Sequence, residues 1–181
     1  MLTPVHTAHL GGPDLADARA LMDLAFDDFS DADWSHALGG MHALVRVGGA
    51  LVAHGSLVQR RLLVGAGEEQ RSWRCGYVEA VATHPDHRRR GHATAVMAAL
   101  EALAPAYDVL ALSASDAGAA LYRGRGWVPW RGPTSVLGPS GPERTPEDDG
   151  STYVLPGARP LDLDLDLDAP LACDWRDGDV W

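Results

Sequence analysis

The sequence contains no lysine, because all 15 of its Lys and Arg positions are arginines. This absence excludes a Schiff-base mechanism and any phosphate-binding loop that ends in lysine. Cysteine is also scarce, since Cys75 and Cys173 are too few for a disulfide framework or a metal-ligand set. The longest stretch without a charged residue, Val47–Gln59, has 13 residues and is too short to cross a bilayer. The first residues lack the basic start and apolar run of a secretory signal, so we expect a cytoplasmic protein without membrane association.

The chain has 181 residues, which suits one compact domain with a buried core. Its net charge of −10 is unevenly spread. Residues 1–138 hold 14 acidic residues and 12 arginines (−2), whereas residues 139–181 hold 11 and 3 (−8). A negative field repels phosphate backbones and favours cationic partners, so we do not expect nucleic-acid binding. The alternative is that the acidic segment is a solvated tail that keeps the protein soluble.

The apolar spacing predicts an amphipathic helix over Asp14–Phe29, with Asp14 as its cap. Four acids follow where this helix is expected to end: Asp27, Asp28, Asp31 and Asp33. Acids at a helix C-terminus oppose the macrodipole, which favours a cationic ligand there. Solvated loop charges are the alternative interpretation.

The remaining pattern predicts a mixed α/β sheet, because strands come first and then alternate with helices. Gly48 and Gly49 form a two-residue hairpin signal between two strands. Leu161–Asp168 alternates between Leu and Asp, the period of a half-buried edge strand. The other predicted strands are Met41–Val47, Ala50–Val58 continued by Leu62–Val64, Ser72–Thr83, Asp108–Ser113, Trp127–Trp130, Thr134–Leu137 and Thr152–Leu155, and the later helices are Gly91–Ala104 and Asp116–Arg123.

A candidate anion site follows the third long strand, where a polar loop opens a helix. The helix start leaves unpaired N–H groups, its dipole favours negative charge, and Gly91 lets the backbone approach a ligand closely. Three adjacent arginines add positive charge; a simple basic surface patch is the alternative. The residues of this candidate phosphate site are Val81, Ala82, Thr83, Arg88, Arg89, Arg90, Gly91, His92 and Ala93.

The spacing Arg-x-x-Gly-x-Ala after an apolar strand resembles the acyl-CoA pyrophosphate loop of the GCN5-related N-acetyltransferases (GNAT). Ala119–Trp127 resembles the same family's short helix with a tyrosine, followed by a glycine and an aromatic-led strand. Further segments resemble the aminoglycoside 2′-N-acetyltransferases within that superfamily. These segments are Asp33–Leu44, Arg74–Glu79, Gly126–Pro139, Arg144–Pro156 and Cys173–Trp181.

The resemblance implies one GNAT-type domain over residues 1–181, with a mixed central sheet, splayed parallel strands and flanking helices. Residues 156–181 would complete the substrate cleft. It implies transfer of an acetyl group from acetyl-CoA to the 2′-amine of an aminoglycoside, by direct attack in a ternary complex and without a metal. It also implies a homodimer and a role in antibiotic resistance. The alternatives are another polycationic amine or a cell-wall amino sugar as substrate, or a non-catalytic protein that binds aminoglycosides or acyl-CoA.

Two residues carry the chemistry that the resemblance implies. Glu79 would act through a water as the base for the substrate ammonium, since an amine attacks a thioester only when it is unprotonated. Tyr122 would protonate the departing CoA thiolate. The alternatives are a strand-end Glu79 paired with an arginine and a Tyr122 that only fills the core.

Several ammonium groups on an aminoglycoside require several carboxylates. Ala80 departs from the family pattern, where glycine is expected. Trp181 would stack on a sugar ring, or else it only packs the C-terminal segment. His84 and His87 flank Asp86, but a third metal ligand is missing nearby, so no metal is expected. The implied substrate-binding residues are Asp28, Asp33, Glu79, Ala80, Ser113, Asp148, Asp149, Asp179 and Trp181.

Overall fold

A computed structural model of the chain describes residues 2–157 and 166–181. The strands are β1 (Val5–His6), β2 (Met41–Val47), β3 (Ala50–Val64), β4 (Arg71–Thr83), β5 (Val109–Ser113), β6 (Val128–Pro129), β7 (Thr134–Gly138), β8 (Gly141–Arg144), β9 (Thr152–Pro156) and β10 (Leu171–Asp174). The helices are α1 (Gly12–Ala25), α2 (Asp31–His36), α3 (His92–Glu101) and α4 (Asp116–Arg123). No helix in these ranges is long and apolar enough to span a membrane.

The strands form a mixed sheet in the order β6-β9-β5-β4-β3-β10-β7-β8, and β2 pairs with both β1 and β3. β4 pairs in parallel with β5 over Cys75–Tyr77 and Val109–Ala111, and β10 pairs in parallel with β7. β4 continues to Thr83 beyond its pairs with β5. The prediction of a mixed α/β sheet with flanking helices is confirmed.

The chain divides into two compact units. The first comprises Met1–Val58 and Val78–Leu103, and the second comprises Gln59–Tyr77 and Ala104–Trp181. β3 and β4 each contribute residues to both units.

In the first unit, the predicted hairpin joins β2 to β3. Gly48 and Gly49 have φ values of +59° and +89°, the pair of positive angles that a type I′ turn requires. α3 packs closely on β3 at Gly55, where a Cβ would lie 2.7 Å from Cγ1 of Val96. A glycine is therefore needed at position 55 to bring the helix that follows the candidate phosphate loop onto the sheet.

In the second unit, β10 lies between β3 and β7 and brings the C-terminal segment into the sheet. The largest of its fully buried side chains are Trp127, Trp130 and Tyr77. The indole N–H of Trp130 donates to the carbonyl of Ala169 at 2.9 Å. This bond gives a buried polar group the partner it needs.

The first helix differs from the prediction at both ends. α1 begins at Gly12 with Gly11 as its N-cap, and Asp14 lies in its first turn, paired with Arg46 at 2.7 Å. The helix ends at Ala25, and a second short helix follows it. Asp31 and Asp33 lie in the first turn of α2, where acids are favourable. Their predicted opposition to a helix dipole was therefore wrong, since the end of one helix was assigned to residues that begin the next.

The pattern analysis missed β1, β8 and β10, which have two to four residues each. Strands this short leave too few positions for a period to be recognised. Of the predicted edge strand Leu161–Asp168, residues 161–165 lie outside the described residues. Residues 167–168 form a turn, and Asp168 pairs with Arg131 at 2.6 Å.

Candidate active site

The first unit carries the candidate phosphate loop at the start of α3. Gly91 is the N-cap with φ +81°, and it supplies no side-chain cap for the helix N–H groups. Arg88, Arg89 and Arg90 are exposed immediately before it. The helix start therefore presents N–H groups next to three guanidinium groups, a donor set that fits an anionic pyrophosphate.

Glu79, Ala80 and Val81 are all half-buried on β4 in the same unit. Ala80 has φ +50°, the left-handed region that favours glycine, although it lies inside a strand. This backbone turn is the physical reason for the glycine that the family resemblance led us to expect. The departure at Ala80 therefore stores backbone strain beside Glu79.

We expect Ala80→Gly to raise the free energy of unfolding by about 1 kcal/mol. Relief of a left-handed alanine is worth about 1–2 kcal/mol, and the greater freedom of glycine in the unfolded chain offsets part of it. Urea denaturation measures the difference. The control is Ala82→Gly on the same strand, which lies outside the positive-φ set and is buried, so that change should destabilise. Destabilisation by Ala80→Gly would contradict the assignment of strain to this residue.

Two fully buried histidines, His42 and His54, lie beneath this part of β4. Nδ1 of His54 is 2.9 Å from the carbonyl oxygen of Ala80, and Nδ1 of His42 is 2.9 Å from Nε2 of His54. Burial lowers the pKa of each ring to about 4, and repulsion from His54 adds to the effect on His42. Sequence reasoning missed both residues; the signal that could have found them is their placement on facing strands of the β2–β3 hairpin.

The two rings should make stability depend on pH. Each histidine has its ordinary pKa near 6.5 in the unfolded chain and about 4 in the folded one, so the unfolded chain binds more protons between these values. We expect full stability above about pH 6.5 and a loss of roughly 3 kcal/mol per ring as pH falls toward 4. Denaturation across this range measures the loss. His54→Asn should flatten the curve, whereas His9→Gln, at an exposed position, should not; equal curves for the two variants would contradict this prediction.

The second unit contains Tyr122, which is 7% exposed and packs against the rings of Trp127 and Tyr153. Burial raises the pKa of its phenol to about 12, so the group stays protonated at neutral pH and can donate. Ser113 ends β5 and is exposed, with its hydroxyl 3.2 Å from that of Ser151.

In the second unit, Asp148 lies within electrostatic range of Asp179. The pKa of Asp148 is raised to about 6, chiefly by burial and also by the nearby negative charges of Asp179 and Glu147. Two neighbouring carboxylates that repel each other are stabilised by a cation between them. This pair is the strongest candidate in the second unit for binding an ammonium group.

Asp149, the residue after Asp148, has a structural role, because its carboxylate is already bonded within the fold. Its carboxylate accepts the backbone N–H of Thr134 at 2.8 Å and pairs with Arg144 at 2.8 Å. These bonds, led by Arg144, hold the pKa of Asp149 below its usual range. The carboxylate joins β7 to the loop after β8, and both of its oxygens already accept hydrogen bonds.

Asp33 and Asp28, in the first unit, also differ from one another. Asp33 forms a capping box with Ser30, whose backbone N–H and hydroxyl each donate to the carboxylate at 2.8 Å. This geometry gives Asp33 a structural task at the start of α2. Asp28 is exposed between α1 and α2.

The indole of Trp181 is 3% exposed in the second unit. Its N–H donates to the hydroxyl of Thr145 at 2.9 Å, and Thr145 in turn donates to Thr134 at 3.0 Å. The backbone N–H of Trp181 donates to Asp179 at 3.0 Å. These bonds support the interpretation that Trp181 packs the C-terminal segment. The bond from its backbone N–H also holds the carboxylate of Asp179 in place. Direct stacking on a sugar stays a prediction.

Among the residues that the structure describes, no group of three His, Cys, Asp or Glu side chains converges on a possible metal position. His84 and His87 are neighbours at 5.5 Å between ring centroids, and His87 is 6.0 Å from His92. These rings lie next to the candidate phosphate loop.

The chain matches the family model described as an acetyltransferase (GNAT) domain over residues 11–129. It is 55% identical to an aminoglycoside 2′-N-acetyltransferase of Mycolicibacterium fortuitum over 179 residues, which are 98% of this chain and 90% of that protein. This similarity extends beyond the family model to the C-terminal third, where Asp148 and Asp179 lie.

Two crystal structures have a similar fold. Eis1 from Mycobacterium abscessus matches with a TM-score of 0.56 and 20% identity, over 70% of this chain and 31% of its own. This chain thus spans about a third of that protein. An N-acetyltransferase of Bacillus subtilis in complex with coenzyme A matches with a TM-score of 0.51 and 8% identity, over 86% of this chain and 95% of its own. At these identities the likeness shows a shared fold alone.

Proposed function

The chain belongs to the GNAT acetyltransferase family, and within it to the aminoglycoside 2′-N-acetyltransferases, and from this we propose that it transfers the acetyl group of acetyl-CoA to the 2′-amine of an aminoglycoside. The observation that carries the proposal is the 55% identity to an enzyme of that name over 98% of the chain. The family and the activity that the sequence motifs indicated are confirmed at that level.

Acetyl-CoA, when bound, supplies an acetyl thioester. In our proposal the N–H groups at the start of α3 and the side chains of Arg88–Arg90 hold its pyrophosphate. Val81, Ala82 and Thr83 offer their strand backbone to the pantetheine arm. These assignments rest on the family motif and on the uncapped helix start with its three exposed arginines.

Proton movement in this proposal uses two side chains. Glu79 removes a proton from the substrate ammonium through a water, because only the free amine can attack a thioester. Tyr122 is protonated at neutral pH, as an ordinary phenol also is, and it donates to the CoA sulfur as the thiolate leaves. The amine attacks directly in a ternary complex, and Cys75, which is fully buried, takes no part.

The substrate is recognised by charge. An aminoglycoside carries several ammonium groups, and Asp148 and Asp179 are two acids within electrostatic range of each other that a cation would stabilise. Asp28, Asp33, Ala80, Ser113, Asp149 and Trp181 complete the proposed substrate contacts on family resemblance. Of these, Asp33 and Asp149 contribute first to the fold, since their carboxylates are engaged in local bonds.

The remaining parts of the proposal concern the cell and the assembly. We propose a cytoplasmic homodimer that acts on a small molecule, not on nucleic acid or a membrane, and that confers resistance. We also propose that residues 1–181 act as one catalytic domain with residues 156–181 as part of the substrate-binding region. Family resemblance supports these statements, and the net charge of −10 disfavours a nucleic-acid partner.

Regiochemistry tests the proposal directly. Aminoglycosides with a 2′-amine should release CoA from acetyl-CoA, while otherwise similar ones with a 2′-hydroxyl should release at least about 100-fold less, because a hydroxyl is a far weaker nucleophile that lacks the ammonium charge. Thiol release followed with a chromogenic reagent measures both, and mass spectrometry locates the acetyl group.

The same assay separates the alternatives. Equal turnover of both kinds of drug would contradict acetylation at the 2′-amine. Preference for a non-aminoglycoside amine or a cell-wall amino sugar would identify that compound as the substrate instead. Binding of both ligands without any CoA release would indicate a sequestering protein, and it would contradict the proposed activity.

A further inference from the structure

A line of hydrogen-bonding groups runs through the first unit from the turn after β1 to β4. The hydroxyl of Thr7 is 2.6 Å from Nε2 of His42, and Nδ1 of His42 is 2.9 Å from Nε2 of His54. Nδ1 of His54 is 2.9 Å from the carbonyl oxygen of Ala80. Both rings are fully buried, and the bond between them is made away from water.

The direction of every bond in this line follows from its last acceptor. A carbonyl can only accept, so Nδ1 of His54 carries the hydrogen. Both rings are neutral near pH 7, so each has one N–H. Nε2 of His54 therefore accepts from Nδ1 of His42, and Nε2 of His42 accepts from the hydroxyl of Thr7.

The start of the line agrees with this direction. The hydroxyl oxygen of Thr7 accepts the backbone N–H of Gly39 at 2.9 Å. The same hydroxyl is 3.1 Å from the carbonyl of Gly40, but His42 requires its single hydrogen. The line thus runs from a backbone N–H to a backbone carbonyl with every bond pointing toward Ala80, an arrangement in which the bonds strengthen one another.

The line ends at the residue whose backbone is strained. Ala80 has φ +50°, and such a conformation persists only where the surrounding structure fixes it. The neighbouring carbonyl of Glu79 is 3.5 Å from the hydroxyl of Ser56, two residues after His54 on β3. Side chains of β3 therefore contact two successive carbonyls at this turn of β4.

We propose that His54, oriented by His42 and Thr7, is a positioning residue that holds the left-handed backbone of Ala80 and thereby fixes the direction of the adjacent Glu79 side chain and Val81 N–H. As a statement about turnover, this inference rests on the proposed function, in which Glu79 is the base. As a statement about the backbone, it stands without it.

Kinetics of four variants, namely His54→Leu, His54→Asn, Ala80→Gly and the double variant of His54→Leu and Ala80→Gly, test the positioning role. His54→Leu removes the donor to Ala80 and should lower kcat about tenfold, with the KM for acetyl-CoA changed less than about threefold. His54→Asn places an amide N–H where Nδ1 lies and should recover most of that loss. In an Ala80→Gly background the His54→Leu loss should shrink to below about threefold, because glycine adopts φ +50° without help. Equal losses in the alanine and glycine backgrounds would overturn the proposal.

Nuclear magnetic resonance tests the line without any substrate. Long-range proton–nitrogen correlations of the unliganded protein at pH 7 should show both rings protonated at Nδ1, whereas free histidine prefers Nε2. A His54 ring protonated at Nε2 would overturn the proposal. If the protein acetylates no amine, the proposed function fails, while this spectrum and the coupling of the His54 and Ala80 changes in urea denaturation still decide the inference.

Discussion

Glu79→Gln should lower kcat on the order of 100-fold near neutral pH, the usual contribution of a general base. The substitution keeps the size of a half-buried side chain on β4 and removes its negative charge together with its ability to accept a proton. Affinity for acetyl-CoA should change little, because the proposed phosphate loop at Gly91 and its neighbours is untouched. Steady-state kinetics with a 2′-amino aminoglycoside and calorimetry with acetyl-CoA measure the two quantities.

The pH profile separates a base from a merely structural carboxylate. A substrate amine that is already neutral needs no base. The difference in kcat between Glu79→Gln and the wild type should therefore become smaller as pH rises toward the pKa of the amine. Glu69→Gln is the matched control, since Glu69 is exposed in the turn before β4. A kcat within about threefold of the wild type at neutral pH would show that another group removes the proton.

Segments with a clear apolar period or turn signal were predicted well because residues close in sequence determine their structure. The hairpin at Gly48 and Gly49, the long strand β4 and the short helix α4 all follow from apolar period and turn chemistry. The start of α3 was predicted for the same reason, because a strand, a loop and a glycine determine a helix start locally. These parts of the fold depend little on distant residues.

Partners that are far apart in sequence could not be predicted from local pattern. Asp149 and Asp33 look like free acids in a sequence, yet Thr134, Arg144 and Ser30 engage them. β10 is recognisable only by what it pairs with, since four residues carry no period. A sequence shows the charge of a side chain but not whether the fold has already supplied its counter-charge.

The same limit explains why the two buried histidines could not be found from the sequence. His42 and His54 fit an apolar strand pattern poorly. Their hydrogen bond to each other becomes visible only when the register of β2 and β3 brings the two rings together. Ala80 stood out in the sequence only as a departure from an expected glycine, and nothing in the local pattern showed that its backbone has φ +50°. The strain at this residue became visible only in the backbone geometry.

The second large expected effect is a loss of aminoglycoside affinity when Asp148, the neighbour of Asp179, loses its charge. Asp148→Asn should weaken binding of a 2′-amino aminoglycoside about 10- to 150-fold at pH 7.5, since a charge-assisted hydrogen bond contributes roughly 1.5–3 kcal/mol. Glu143→Gln, on β8, removes one negative charge from the same acidic third of the chain and should change affinity less than about threefold. Isothermal titration calorimetry measures both. Equal weakening by the two variants would assign the effect to net charge and not to Asp148.

The raised pKa of Asp148 gives this prediction a pH signature. The carboxylate is charged above its pKa of about 6 and neutral below it, so wild-type affinity should fall as pH drops from 7.5 to 5. The drug only gains positive charge over that range, so its own titration cannot weaken its attraction to an acidic protein. An ammonium group beside Asp148 lowers the pKa of the carboxyl, and binding near pH 6 should therefore release protons from the protein. Titrations in two buffers of different ionisation enthalpy count these protons, and the release should vanish in Asp148→Asn. A wild-type affinity that is flat or rises between pH 7.5 and 5 would separate Asp148 from the ammonium contact and leave Asp179 as the acid to test.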